Sequence, residues 1–99
     1  MTRTHQWTVG LNLVEEDGTT KAQAELDTGT STLTGKGTAR CNPSDVDIPA
    51  IGDELAASRA MKDLATQLMR AADRDMEAAG AVTAPTQEGT EYGWSDTAK

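Results

Sequence analysis

The sequence contains no phenylalanine, and Trp7, Tyr92 and Trp94 are its only aromatic residues. A core must therefore come from Leu, Val, Met and Ala, in a chain that is only 36% hydrophobic. Such a core buries little area per residue, and a domain of this size already leaves much of its surface exposed. Cys41 is the single cysteine, which excludes an internal disulfide and a thiolate metal cluster. No apolar run approaches the length of a membrane span. The first residues, Met1 to Gln6, are polar and do not form a secretory leader, so the expected compartment is the cytoplasm. Basic charge is also scarce. Sixteen acids against nine bases give a net charge of −7, the opposite of the field that coats nucleic acid or docks on an anionic membrane.

What the 99 residues do contain is periodicity, enough for one domain. Trp7, Val9, Leu11 and Leu13 alternate with Thr8, Gly10 and Asn12, which predicts a half-buried strand. Asp17-Gly18 then marks a hairpin. A second strand over Thr20 to Leu26 sets Ala22, Ala24 and Leu26 on one face and Lys21, Gln23 and Glu25 on the other. After a turn at Asp27-Thr28-Gly29-Thr30, a third strand over Ser31 to Cys41 faces Leu33, Gly35, Gly37, Ala39 and Cys41 inward. Two glycines on one strand face weaken it, and close approach of a helix is the reason to keep them.

Asn42-Pro43-Ser44-Asp45 breaks the sheet. A helix then runs from about Ile48 or Gly52 to Ala79. Asp47 is the expected cap, Pro49 suits the first turn, and Asp53 and Glu54 favour the positive end. Its apolar stripe reads Ile51, Leu55, Met61, Leu64, Ala65, Leu68, Ala72 and Met76, and Gly80 stops it. Gly52 is out of place in a helix interior, where it costs about 1 kcal/mol against Ala. Residues 81–99 lose all hydrophobic period and read as a disordered acidic tail.

The fold class is therefore α+β, a three-stranded antiparallel meander followed by one long helix. A helix of about thirty residues is roughly 45 Å long, whereas strands of about nine reach only about 30 Å. Leu68, Met69, Ala72 and Met76 lie at the far end and want another surface, so a homodimer built through them is expected, and pairing of exposed strand edges would serve the same end.

Chemistry-bearing constellations are few. His5 and Cys41 are the one conceivable nucleophile–base pair, but no third group orients the histidine. Asp45, Asp47, Asp53 and Glu54 lack the spacing of a calcium loop and read as helix-start acids. Asp73, Asp75 and Glu77 interleave with Arg70 and Arg74 as a solvated face. No enzyme activity, cofactor, metal or small-molecule substrate is expected. The outward sheet face collects Lys21, Lys36 and Arg40 among Thr8, Asn12, Thr34 and Thr38, a patch able to meet RNA phosphates and 2′-hydroxyls, blunted by Glu25.

One set of segments has a recognisable pattern: His5-Gln6-Trp7-Thr8-Val9, Gly35-Lys36-Gly37-Thr38-Ala39-Arg40, Asn42-Pro43, and Ile48-Pro49-Ala50-Ile51-Gly52-Asp53-Glu54-Leu55 with Ala60. In this order they resemble a family of short actinobacterial proteins of unknown function with dormancy- and hypoxia-associated members. The resemblance covers residues 5–80 and implies a β-β-β-α domain over 1–80, akin to the double-stranded-RNA-binding class without its first helix. It further implies a homodimer similar in shape to ribosome hibernation factors, and no catalytic residue. The resulting expectation is a non-catalytic stress or dormancy protein that binds the ribosome or structured RNA through Lys21, Lys36 and Arg40, with Arg59 and Lys62 as further candidates on the helix. The alternative is a protein–protein interaction module that binds no nucleic acid.

Overall fold

The computed structural model describes residues 1–42 and 44–80. The expectation for residues 81–99 lies outside them. Three strands, β1 (Val9–Glu16), β2 (Thr19–Asp27) and β3 (Thr32–Arg40), are followed by one helix, α1 (Pro49–Ala78). The sheet is an antiparallel meander in the order β1-β2-β3. This is the α+β architecture that the spacing predicts.

Turn chemistry explains both hairpins. Asp17 and Gly18 adopt φ values of 53° and 74° between the paired Glu16 and Thr19, the twist that a two-residue primed turn requires. The second loop is longer. Asp27 Oδ1 accepts from Gly29 N at 2.9 Å and Ser31 O accepts from Thr28 N at 2.9 Å, with Gly29 at φ 96°. Past β3, Asn42 Oδ1 accepts from both the amide and the hydroxyl of Ser44, each at 3.0 Å, and turns the chain towards the helix.

The chain falls into two compact units, the first Met1–Gln67 and the second beginning at Leu68. The first holds the sheet and the core. Ala22, Ala24, Leu26, Leu33, Ala39, Ala56, Ala60 and Leu64 are buried, together with Thr20. Five of the eight apolar members are alanines, so the helix and sheet backbones lie close together. In the second unit α1 runs on from Leu68 to Ala78 and closes at Gly80, whose φ of 92° and hydrogen bond to Glu77 O at 3.0 Å fit the expected stop.

Three expectations about packing need correction. The first concerns the helix stripe. The buried side chains of α1 are Ala56, Ala60 and Leu64, whereas Ile51, Leu55 and Met61 are 50%, 43% and 43% exposed, and Ala65 is exposed too. Small residues, not the largest, face the sheet because the glycine floor of β3 admits the helix backbone itself. A methyl group on Gly35 would lie 2.5 Å from Leu64 N, and one on Gly37 would lie 2.5 Å from Ala56 O.

The second correction concerns β1, which starts at Val9 rather than Trp7. Its core-facing Leu11 and Leu13 remain 40% exposed, and Trp7 is 52% exposed. The register sets Leu11 beside Ala24 and Leu13 beside Ala22 on the helix side. Because α1 is drawn down over β3, its bulk does not cover β1.

The third concerns the helix start. No acid stands in the first turn of α1. Ile51 N donates to Ile48 O at 2.9 Å and Pro49 takes the first helical position, so the cap falls on Ile48 rather than Asp47. Asp53 and Glu54 lie beyond that turn.

Gly52 now has a reason. A methyl group there would meet Thr20 Oγ1 at 3.0 Å, and Thr20 is itself buried with little freedom to move. Gly52→Ala therefore fails to deliver the gain of about 1 kcal/mol that helix propensity alone would give. A urea midpoint raised by that full amount would show that Thr20 yields freely.

Candidate nucleic-acid interface

β3 is an edge strand, and the helix closes its outer side. Lys36 N donates to Asp63 Oδ2 at 2.9 Å, Arg59 Nη1 donates to Thr38 O at 2.8 Å, and Gln67 Nε2 donates to Thr34 O at 2.7 Å. Residues 59, 63 and 67 repeat every four positions, so they line one flank of α1, and residues 34, 36 and 38 repeat every two along β3. Three polar side chains thereby satisfy the backbone groups that an open edge would offer to another strand. The sequence reading missed this ladder. Its signal was the polar row Arg59, Asp63 and Gln67 beside the small-residue row Gly52, Ala56 and Ala60.

Among the described residues the opposite face of the sheet carries no such cover. Pairing sets Asn12 beside Gln23 and Gln23 beside Lys36. The next rows hold Val14, Lys21 and Thr38, then Glu16, Thr19 and Arg40. Lys21 thus stands between the rows of Lys36 and Arg40, on the middle strand. All three line one open groove of about 990 Å³ with Asn12, Val14, Thr19, Gln23 and Thr38. Two acids, Glu16 and Asp17, line it as well. Glu25 lies one row beyond and accepts from Gln23 Nε2 at 2.9 Å.

The structure therefore brings Lys21, Lys36 and Arg40 together and sets the helix candidates apart. Arg59 is held along the β3 edge by Thr38 O, and Lys62 is exposed on α1, whose buried side packs the other face of the sheet. Leu68, Met69, Ala72 and Met76 belong to the second unit. Leu68 and Met76 are half-buried there, Ala72 is exposed, and Met69 is 56% exposed.

A smaller cavity of about 290 Å³ lies where the start of α1 meets the β1–β2 hairpin, lined by Thr20, Ala39, Cys41, Ile48, Ile51 and Leu55 with Glu15, Asp45 and Asp47 among others. Cys41 is half-buried beyond the end of β3, and its Sγ lies 3.5 Å from Asn42 O and 3.9 Å from Val46 O. Burial pushes its thiol above the ordinary range, and the negative charges of Asp47 and Asp45 push it further. A thiol held protonated is a poor nucleophile. Alkylation of Cys41 is expected to run slower than for a free cysteine at pH 8 and to keep accelerating as the pH rises past the free thiol's midpoint. A plateau near that midpoint would contradict the raised value. His5, the one conceivable partner base, is exposed and lies 3.4 Å from Arg3 Nη2 through Nε2. Among the described residues no group of three or more His, Cys, Asp or Glu is placed to hold a metal ion, and no helix is long and apolar enough to cross a membrane.

Comparison with known proteins places this geometry among relatives. The uncharacterised protein Mb1767 of Mycobacterium bovis is 42% identical over 72 residues, covering 73% of this chain and 77% of its own length. The uncharacterised protein Rv2632c of Mycobacterium tuberculosis is 44% identical over 70 residues, covering 71% of this chain and 75% of its own. The crystal structure of Rv2632c superposes with a TM-score of 0.75 at 34% identity, over 83% of this chain and 98% of that one. The match thus spans the sheet, the glycine floor and α1 together. The Rv2632c-like family model covers residues 5–85, and the chain belongs to the Rv2632c-like family.

Proposed function

We propose that the protein is a non-catalytic binding module, acting as a homodimer, whose open sheet face contacts the phosphate backbone of structured RNA such as that of the ribosome. One observation carries this reading: Lys21, Lys36 and Arg40, spread between positions 21 and 40 of the sequence, line a single groove on a face that nothing in the described chain covers. Hydroxyl and amide side chains of Thr19, Thr38, Asn12 and Gln23 surround them and suit phosphate and 2′-hydroxyl contacts. The net charge of −7 disfavours indiscriminate coating of nucleic acid, so binding is confined to this one face. A stress or dormancy setting is supported by the family resemblance alone. The upward push on the Cys41 thiol, which weakens it as a nucleophile, is the observation on the side of a non-catalytic role.

Ribosome co-sedimentation at two salt concentrations tests the proposal, with Lys36→Glu/Arg40→Glu as the variant. Binding should fall with salt and with charge reversal. Salt-insensitive capture that the variant leaves intact would favour the second reading, a protein-interaction module. The exposed apolar side chains of β1 are the observation on its side.

A further inference from the structure

The two edges of the sheet are treated in opposite ways. β3 is closed by Arg59, Asp63 and Gln67, so the sheet can be extended only across β1. Among the described residues that edge carries none of the usual protection. From Thr8 to Val14 there is no charged residue and no proline, and Leu11 and Leu13 stay 40% exposed beside it.

We infer that a second copy of this chain adds antiparallel across the free edge of β1, joining two meanders into one six-stranded sheet. The charge along the strand selects a copy of the same chain as the occupant. Beyond one end of the neutral stretch stand Glu15, Glu16 and Asp17; before the other stand Arg3 and His5. Antiparallel self-pairing lays each acidic end beside the basic end of its mate, whereas parallel pairing would stack acid on acid. A two-fold axis at Leu11 sets Leu11 opposite itself, Leu13 opposite Val9 and Asp17 opposite His5. Apolar side chains then meet apolar ones on the helix side of the sheet. A two-fold axis normal to the sheet also keeps both cationic grooves on one face. The inference rests on the homodimer of the proposed function and moves its interface from Leu68, Met69, Ala72 and Met76 to β1.

The test is the mass of the full chain by light scattering at micromolar concentration, with circular dichroism as a check on folding. The wild type should run at twice the chain mass of 10.4 kDa. Leu11→Lys/Leu13→Lys should run as a folded monomer. A monomeric wild type overturns the inference. So does a dimer that survives Leu11→Lys/Leu13→Lys yet dissociates in Met69→Lys/Met76→Lys. RNA binding is read separately from its salt dependence, so a dimer without RNA affinity leaves the interface standing and removes only the groove's role.

Discussion

Gly35→Ala and Gly37→Ala are each expected to lower stability by about 3 kcal/mol, because a single added methyl strikes helix backbone rather than a movable side chain. At Gly35 the new carbon would sit 2.5 Å from Leu64 N and 2.9 Å from Leu64 Cα. At Gly37 it would sit 2.5 Å from Ala56 O and 2.7 Å from Arg59 Cβ. Neither glycine has a positive φ, so alanine should otherwise gain up to about 1 kcal/mol from strand entropy, and the steric term must exceed that gain. A domain of this size holds only about 5–15 kcal/mol in total. The loss corresponds to a fall in melting temperature of about 15 °C. Gly10→Ala is the internal control. It lies on a strand with nothing within 4 Å of the added carbon, and should be neutral or slightly stabilising. Equal melting temperatures for all three variants would mean that the helix does not rest on a glycine floor.

The second large effect concerns the groove. If Lys21, Lys36 and Arg40 of both protomers each neutralise one phosphate, the logarithm of the binding constant should fall with the logarithm of salt with a slope of about −5. Between about 50 and 200 mM salt that amounts to roughly a thousandfold loss of affinity for an RNA duplex or for ribosomes. Each cation removed should flatten the slope by about 1, so Lys36→Glu/Arg40→Glu in a dimer should leave a slope near about −2. The comparison that isolates the face is Lys62→Glu on α1. It changes net charge by the same amount per residue but lies outside the groove lining, so the slope should stay near the wild-type value. Equal flattening by Lys62→Glu would reduce the effect to net charge and remove the groove as a site.

The two effects are linked by the same pair of residues and their neighbours. Gly35-Lys36-Gly37 turns its glycines to the helix and its lysine to the groove, because successive strand residues point to opposite faces. Lys36 further donates its backbone amide to Asp63, so the residue that presents a cation on one side anchors the closed edge of the sheet on the other. A substitution that changes only the side chain of Lys36 should therefore spare the fold, whereas one at either adjoining glycine should not.

Local pattern was sufficient for β2 and β3, the turns and the end of the helix. The alternation of Ala22, Ala24 and Leu26 matches their burial, Asp17-Gly18 forms the turn its chemistry demands, and Gly80 stops the helix with a positive φ. These follow from a period of two and from backbone freedoms that belong to single residues, so the sequence by itself determines them. The rotation of α1 about its axis was not legible in that way. Ranking by hydrophobicity chose Ile51, Leu55 and Met61, but Ala56 and Ala60 are buried because the deepest fit is backbone against backbone over Gly35 and Gly37. That choice belongs to shape across the two layers. From it follow the exposed side of β1, the polar ladder of Arg59, Asp63 and Gln67 and the bare face that holds Lys21, Lys36 and Arg40, none of which exists until a helix settles on one particular strand.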